Sequence, residues 1–207
     1  MQITNMPSGM LGVNTYFVVD ETTNKAFIVD PGGWNEKMKD YVMSSGADLE
    51  YILLTHGHSD HIMGIPALQQ DFPNTKIVAC VHETQMLGDP DFNMSRQFGQ
   101  LTRVHPDITV DDGDTMIIGS LELQFLFTPG HSPGGMCIYI PAWKTCFSGD
   151  TLFQQSIGRT DFPGCSFKKL KDSIHTKLWT LPDDTDVYPG HMGPTNIGWE
   201  KEHNPFV

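Results

Sequence analysis

Thr55-His56-Gly57-His58-Ser59-Asp60-His61 follows directly on the apolar run Tyr51-Ile52-Leu53-Leu54. The run reads as a buried strand, so three imidazoles and a carboxylate fall where a strand stops and the backbone turns. His56 and His58, two apart in extended chain, project to one side, while Asp60 and His61 follow in a turn and approach from another direction. Neutral imidazole and carboxylate are ordinary ligands of zinc and its neighbours. A lone histidine is usually packed or solvated. Four donors crowded at one strand end point to a metal instead.

Three later stretches repeat this shape. His131 follows Phe127-Thr128-Pro129-Gly130, Asp150 follows Phe147-Ser148-Gly149, and His191 follows Val187-Tyr188-Pro189-Gly190. Four strand ends, each delivering a donor just past an apolar run, can converge on one edge of a sandwich and hold it rigidly. Gly130, Gly149 and Gly190 immediately precede their donors and are expected to supply unusual backbone angles and close approach.

Around these stretches the chain alternates β-rich and helical patterns. Thr15 to Val19 and Ala26 to Val29 read as a hairpin across Asp20 to Lys25. Trp34, Met38, Tyr41 and Val42 recur at helical spacing, with Gly46 suited to the stop. Pro66 fits the first turn of a helix running to about Asp71, and Lys76 to Val81 reads as a strand. Residues 89–106 carry weak periodicity between Pro90 and Pro106, a long connection of the kind that often borders a site. The pattern turns β from Ile108, with Asp112-Gly113-Asp114 as a turn and Leu121, Leu123, Phe125 and Phe127 alternating. Met136 to Ile140 and Thr145 to Phe147 continue it. Ser166 can cap a helix whose apolar side is Phe167, Leu170, Ile174 and Leu178. Asp186 to Tyr188 is a last short strand, and a helical piece spans about Asn196 to His203. Two packed sheets with helices outside follow, expected as one domain over 1–207.

Composition narrows the function classes. With 13 Lys plus Arg against 25 Asp plus Glu, the net charge is −12, and no basic run offers a nucleic-acid footprint. No apolar stretch approaches the roughly 20 residues of a membrane span, and no basic-then-apolar leader opens the chain. Cys80, Cys137 and Cys146 sit in apolar runs as reduced, buried thiols, and Cys165 lies in a Pro-Gly-Cys-Ser turn. A cytoplasmic protein is the expectation. No sequence feature specifies an oligomeric state.

The ordered set His56, His58, Asp60, His61, His131, Asp150 and His191 resembles the pattern His-x-His-x-Asp-His, then His, Asp and His, of the metallo-β-lactamase-fold hydrolases. The resemblance runs almost the whole chain. It implies an α/β fold, a four-layer αββα sandwich of two mixed β-sheets with helices on the outer faces. It also implies two divalent metal ions, zinc first with iron or manganese as alternatives. His56, His58 and His131 would hold one, Asp60, His61 and His191 the other, and Asp150 would bridge them. Ser156-Ile157-Gly158-Arg159-Thr160-Asp161-Phe162-Pro163 and Asn204-Pro205-Phe206 look like the small bacterial glyoxalase II-like hydrolases, which lack the C-terminal helical domain of full-length glyoxalase II. This chain is expected to lack it too. The full-length enzymes carry Lys and Tyr where Arg159 and Asp161 stand, and a further Tyr at the position of Gly193, so glutathione recognition is not carried over.

The chemistry so implied is hydrolysis of a small anionic thioester, such as S-lactoylglutathione, by a metal-bound hydroxide. Asp60 would orient that nucleophile, and no Ser or Cys nucleophile is signalled. A departing thiolate comes from a thiol of pKa about 8.5 and needs little protonation. A positive metal centre in an acidic protein favours an anionic substrate. Arg159 is the candidate second anion contact, or else the ion-pair partner of Asp161. The alternatives are a persulfide dioxygenase-like enzyme using one iron on His56, His131 and Asp150, and a lactone hydrolase. β-Lactam hydrolysis is disfavoured, because many such enzymes have Cys where Asp150 stands.

Overall fold

The computed structural model describes residues 1–207. One six-stranded sheet has the order β1-β2-β3-β4-β5-β6, formed by Gln2–Ser8, Val13–Asp20, Lys25–Val29, Asp48–Leu53, Lys76–Cys80 and Ile108–Val110. Its first three strands pair antiparallel and the rest parallel. The second sheet has the order β14-β13-β10-β9-β8-β7. Its strands are β7 (Thr115–Ile118), β8 (Leu121–Phe127), β9 (Met136–Ile140), β10 (Thr145–Gly149), β13 (Asp186–Pro189) and β14 (Thr195–Asn196). Only β10 and β13 run parallel in it, so both sheets are mixed. A two-stranded piece, β11 (Leu152–Phe153) with β12 (Ser156–Ile157), sits apart.

Strand periodicity sorts the side chains into layers. From β2 and β3, Tyr16, Val18, Phe27 and Val29 meet Phe125, Ile138 and Phe147 of the other sheet. Their neighbours Phe17 and Ile28 point the opposite way, onto Met38 and Val42 of α1 (Glu36–Ser45) and Leu68 of α3 (Ile65–Asp71). On the far side, Cys137, Tyr139 and Cys146 pack on Leu170 and Ile174 of α5 (Phe167–Thr176) and Ile197 of α6 (Ile197–His203). Strands covered on both faces read as continuous apolar runs, which is why β2 and β3 show little alternation. The order helix, sheet, sheet, helix is the expected αββα sandwich.

The structure redraws several expected boundaries. The strand β1 went unread because Asn5 and Pro7 interrupt its pattern, and proline is tolerated there on a sheet edge. Trp34 precedes α1: Asn35 caps the helix, accepting from the Met38 N–H, while the Trp34 indole donates to Asp71 at 2.8 Å. Gly46 ends it with φ 67°, as read. Ser166 caps α5, but Phe167 at its first turn is exposed rather than on the buried side. Two short helices, α2 (Ser59–Ile62) and α4 (Thr84–Gly88), lie at the end of the first sheet that carries the His cluster.

Candidate metal centre

Four strand ends and one short helix meet at this edge. The end of β4 leads to His56 and His58, α2 presents Asp60 and His61, and the ends of β8, β10 and β13 lead to His131, Asp150 and His191. The structure brings all seven together. His131 Nε2 lies 2.8 Å from His58 Nδ1 and 3.2 Å from His56 Nε2. His191 Nε2 lies 3.2 Å from Asp60 Oδ2. Asp150 stands between the two groups, with Oδ1 3.3 Å from His61 Nε2 and Oδ2 3.5 Å from His131 Nε2.

On His56, His61 and His131 the ring nitrogen facing away from the centre is committed to a partner, and that fixes what faces inward. His131 Nδ1 donates to the Arg159 carbonyl at 2.8 Å, and His61 Nδ1 donates to Asp30 Oδ2 at 3.0 Å. Thr55 Oγ1 donates to Asp30 Oδ2 at 2.6 Å and lies 3.1 Å from His56 Nδ1, whose proton it accepts. The inward Nε2 atoms of His56 and His131 are therefore facing lone pairs. His61 Nε2 and Asp150 Oδ1 are buried with no hydrogen-bond partner. A buried polar atom left unpaired is costly, and facing lone pairs repel. A cation shared among these donors removes both penalties, so the residues fit a metal. Three trios have donor atoms close enough to share an ion: His56, His58 and His131; Asp60, His61 and His191; and Asp30, His56 and His61. The last overlaps the other two and already holds the His61 Nδ1–Asp30 Oδ2 hydrogen bond.

Charge divides the first two trios. Burial, then the surrounding imidazoles, holds His56 well below the ordinary histidine range, and burial with His131 holds His58 down at about 3. Burial also works against a charged His61, but Asp150, Asp60 and Asp30 outweigh it and push its pKa well up. Burial would raise Asp60 and Asp150 as well, yet the neighbouring imidazoles, His61 first, keep both low.

Two of the glycines before the donors act differently from each other. Gly149 has φ 48°, a left-handed turn that a side chain would strain. Gly190 lacks the unusual angle expected of it but shows the expected close approach. A Cβ there would sit 2.4 Å from Asp150 Oδ1 and 2.7 Å from His61 Cε1, so its role is clearance.

Several supporting residues escaped the sequence reading. Glu83, 1% exposed, accepts the Gly57 N–H at Oε1 and the Gly134 N–H at Oε2, tying together the loops that carry His58 and His131. Burial raises its pKa against those hydrogen bonds. Asn14 donates to the carbonyls of Pro189 and Met192 on either side of His191. Asn93 accepts the Ser59 N–H at its carbonyl, fastening the 89–106 connection to α2. Asp30, at the end of β3, is a fourth support: it accepts the Thr55 N–H and hydroxyl and the His61 Nδ1–H.

Arg159 closes on Asp161 through two bonds of 3.0 and 2.8 Å and lies over the Phe162 ring. Beside His58 opens a cleft of about 290 Å³ lined by Asp91, Phe92, Met94, Gln97, Phe162 and Pro163. Phe98 and Leu101 of the same connection do not line it, and Leu101 is exposed. A groove of about 560 Å³ between β1 and α1 contains none of the seven donors. Cys165 donates to the His131 carbonyl, while the other three cysteines are buried thiols, as read.

Comparison with known proteins agrees with this architecture. YqgX of Bacillus subtilis, a probable metallo-hydrolase, is 35% identical over 100% of this chain and 98% of its own. The hydroxyacylglutathione hydrolase GloC of Haemophilus influenzae is 34% identical over 100% and 98%. Among solved structures, BLEG-1, described as a B3 metallo-beta-lactamase, has a TM-score of 0.91 at 36% identity and covers 99% of each chain. TTHA1623, solved in a di-iron-bound form, has a TM-score of 0.86 at 31% identity, covering 99% of this chain and 100% of its own. The metallo-beta-lactamase superfamily model matches residues 8–191, and this chain belongs to that superfamily of metal-dependent hydrolases.

Proposed function

We propose that this protein is a binuclear metallohydrolase that cleaves a thioester. The observation that carries the reading is the pair of donor trios with Asp150 standing between them, where His61 Nε2 and Asp150 Oδ1 are buried 3.3 Å apart without a well-aligned hydrogen bond. His56, His58 and His131 would hold one ion, Asp60, His61 and His191 the other, with Asp150 shared. When bound, such ions supply an acidified water and an electrophile for the carbonyl oxygen. Zinc, iron and manganese all suit His/Asp donors.

The chain's own groups do the rest. Asp60 stays ionised at neutral pH and faces the centre beside His191, where its carboxylate can accept a hydrogen bond from the attacking water and orient it. The outward hydrogen bonds to Asp30, Thr55 and the Arg159 carbonyl keep His61, His56 and His131 turned inward through the reaction. A C–O bond forms as the C–S bond breaks, giving a carboxylate, a thiolate and protons released to solvent. A thiolate leaves without needing a dedicated acid. The similarity to GloC supports the thioester reading, and the similarity to BLEG-1 supports β-lactam hydrolysis as the second reading.

Bound metal quantified per chain, followed by a panel of thioesters, lactones and β-lactams, tests the assignment. Two ions per chain with thioesters as the best substrates is the expected result. One iron per chain with oxygen uptake on glutathione persulfide would make the enzyme a dioxygenase instead. A β-lactam as the best substrate would transfer the assignment to the second reading.

A further inference from the structure

We propose that the cleft beside His58 receives an uncharged, apolar chain of the substrate, so that the enzyme prefers neutral thioesters to glutathione conjugates. The inference rests on the thioester reading for its reaction, and on the cleft alone for its ligand. Phe92 and Met94 form one wall, and Phe162 and Pro163 the other. The Phe162 ring meets His58 edge-on at 5.7 Å, so the apolar surface runs directly onto the first trio. Gly164, next to Pro163, lies close to the opposite wall: a Cβ there would sit 3.4 Å from Phe92 Cζ.

Two guanidinium groups stand near this cleft, and neither is free. Arg159 is spent on Asp161, and Arg96 grips Asp91 through bonds of 2.6 and 3.2 Å. A carboxylate entering here meets two neutralised pairs and aromatic faces. The sequence alone pointed to an anionic substrate with Arg159 as its contact, but the tertiary pairing points to a neutral one. The wall is also fixed in place. Asn93, fully buried, donates to the Thr102 carbonyl at 2.9 Å and accepts the Ser95 N–H, besides its bond to Ser59. A volume of about 290 Å³ corresponds to roughly ten water-sized units at about 30 Å³ each, enough for a chain of several carbons.

Calorimetry on the metal-loaded protein with two non-hydrolysable thioethers tests the proposal, using S-hexyl-N-acetylcysteamine and S-hexylglutathione. Both probes carry the same chain, so each is expected to gain about fourfold per methylene from S-butyl to S-hexyl. The neutral probe is expected to bind the tighter, because the cleft offers no free guanidinium to the glutathione carboxylates. Phe92→Asp and Phe162→Ala, checked for wild-type metal content and circular dichroism, should flatten that gain. Asp161→Ala, which frees Arg159, should narrow the gap in favour of the glutathione probe. Equal or tighter binding of S-hexylglutathione to the wild-type protein overturns the proposal, as does an undiminished chain-length gain in both aromatic variants. Turnover of hexanoyl thioesters of the same two thiols separates the two readings. Binding preference without turnover of either thioester discards thioester hydrolysis and leaves the cleft assignment standing. Turnover favouring the glutathione ester overturns the cleft assignment and leaves thioester hydrolysis standing.

Discussion

The trio His56, His58 and His131 is all imidazole, whereas Asp60, His61 and His191 mixes imidazole with carboxylate beside Asp150 and Asp30. Both sit at the same sheet edge, yet they differ in what a metal must displace. In the first, burial and mutual repulsion keep His56 and His58 neutral near pH 7, so their nitrogens are ready donors. In the second, the carboxylates hold a proton on His61. The first trio can bind an ion without displacing a proton from those two rings, while the second exchanges a proton for its ion. Like side chains in one pocket thus acquire different affinities from their neighbours alone.

The largest test removes the residue common to both. Asp150→Ala should strip metal from both trios and lower kcat/KM by on the order of 10³-fold. Unchanged metal stoichiometry in that variant would take Asp150 out of the site. Asp30→Asn sharpens the contrast, because Asp30 bonds His61 directly but reaches the first trio only through Thr55. It should weaken metal affinity by about 10–100-fold, chiefly for the second ion. Equal loss of both ions would mean that the trios load as one unit.

Acidity probes the same difference without mutation. A histidine whose pKa is raised stays protonated up to that pKa, so metal must compete with the proton throughout the range below it. Lowering the pH from 8 to 6 should weaken the second ion by up to about tenfold per unit, with a smaller effect on the first. Stoichiometry titrations at each pH, read with proton release in buffers of different ionisation enthalpy, check the sign. The smallest effect is expected outside both trios. Arg159→Ala removes an exposed ion pair but leaves the backbone carbonyl that holds His131. It should change KM for an anionic thioester by no more than about twofold to threefold. A much larger rise would restore Arg159 as an anion contact.

The gathering of the seven side chains was legible because His56, His58, His131, Asp150 and His191 each follow a Gly or Thr at or just past the end of an apolar run. Asp60 and His61 stand in the turn behind His58, and this local pattern needs no knowledge of the partner strands. The layers were legible for a similar reason, since buried strands and capped helices announce themselves within a few residues. The supports were not. Nothing local marks Glu83, Asn14 or Asn93 as braces, because their partners lie on other elements and their bonds reach backbone atoms that every residue carries. Gly190 shows the same limit: its identity could be read, but the reason for it is an approach by Asp150 and His61 from elsewhere in the chain.

By itself, then, the sequence determined that a metal-using αββα sandwich would gather its donors at strand ends, since ligand type and strand periodicity are properties of short segments. Only the tertiary structure decided which nitrogens face inward, that His61 differs in charge from His56 and His58, and that Arg159 is already neutralised beside an apolar cleft. Each of these depends on distances of a few ångströms between residues far apart in the chain. At that range electrostatics and desolvation, not residue identity, set what a side chain does.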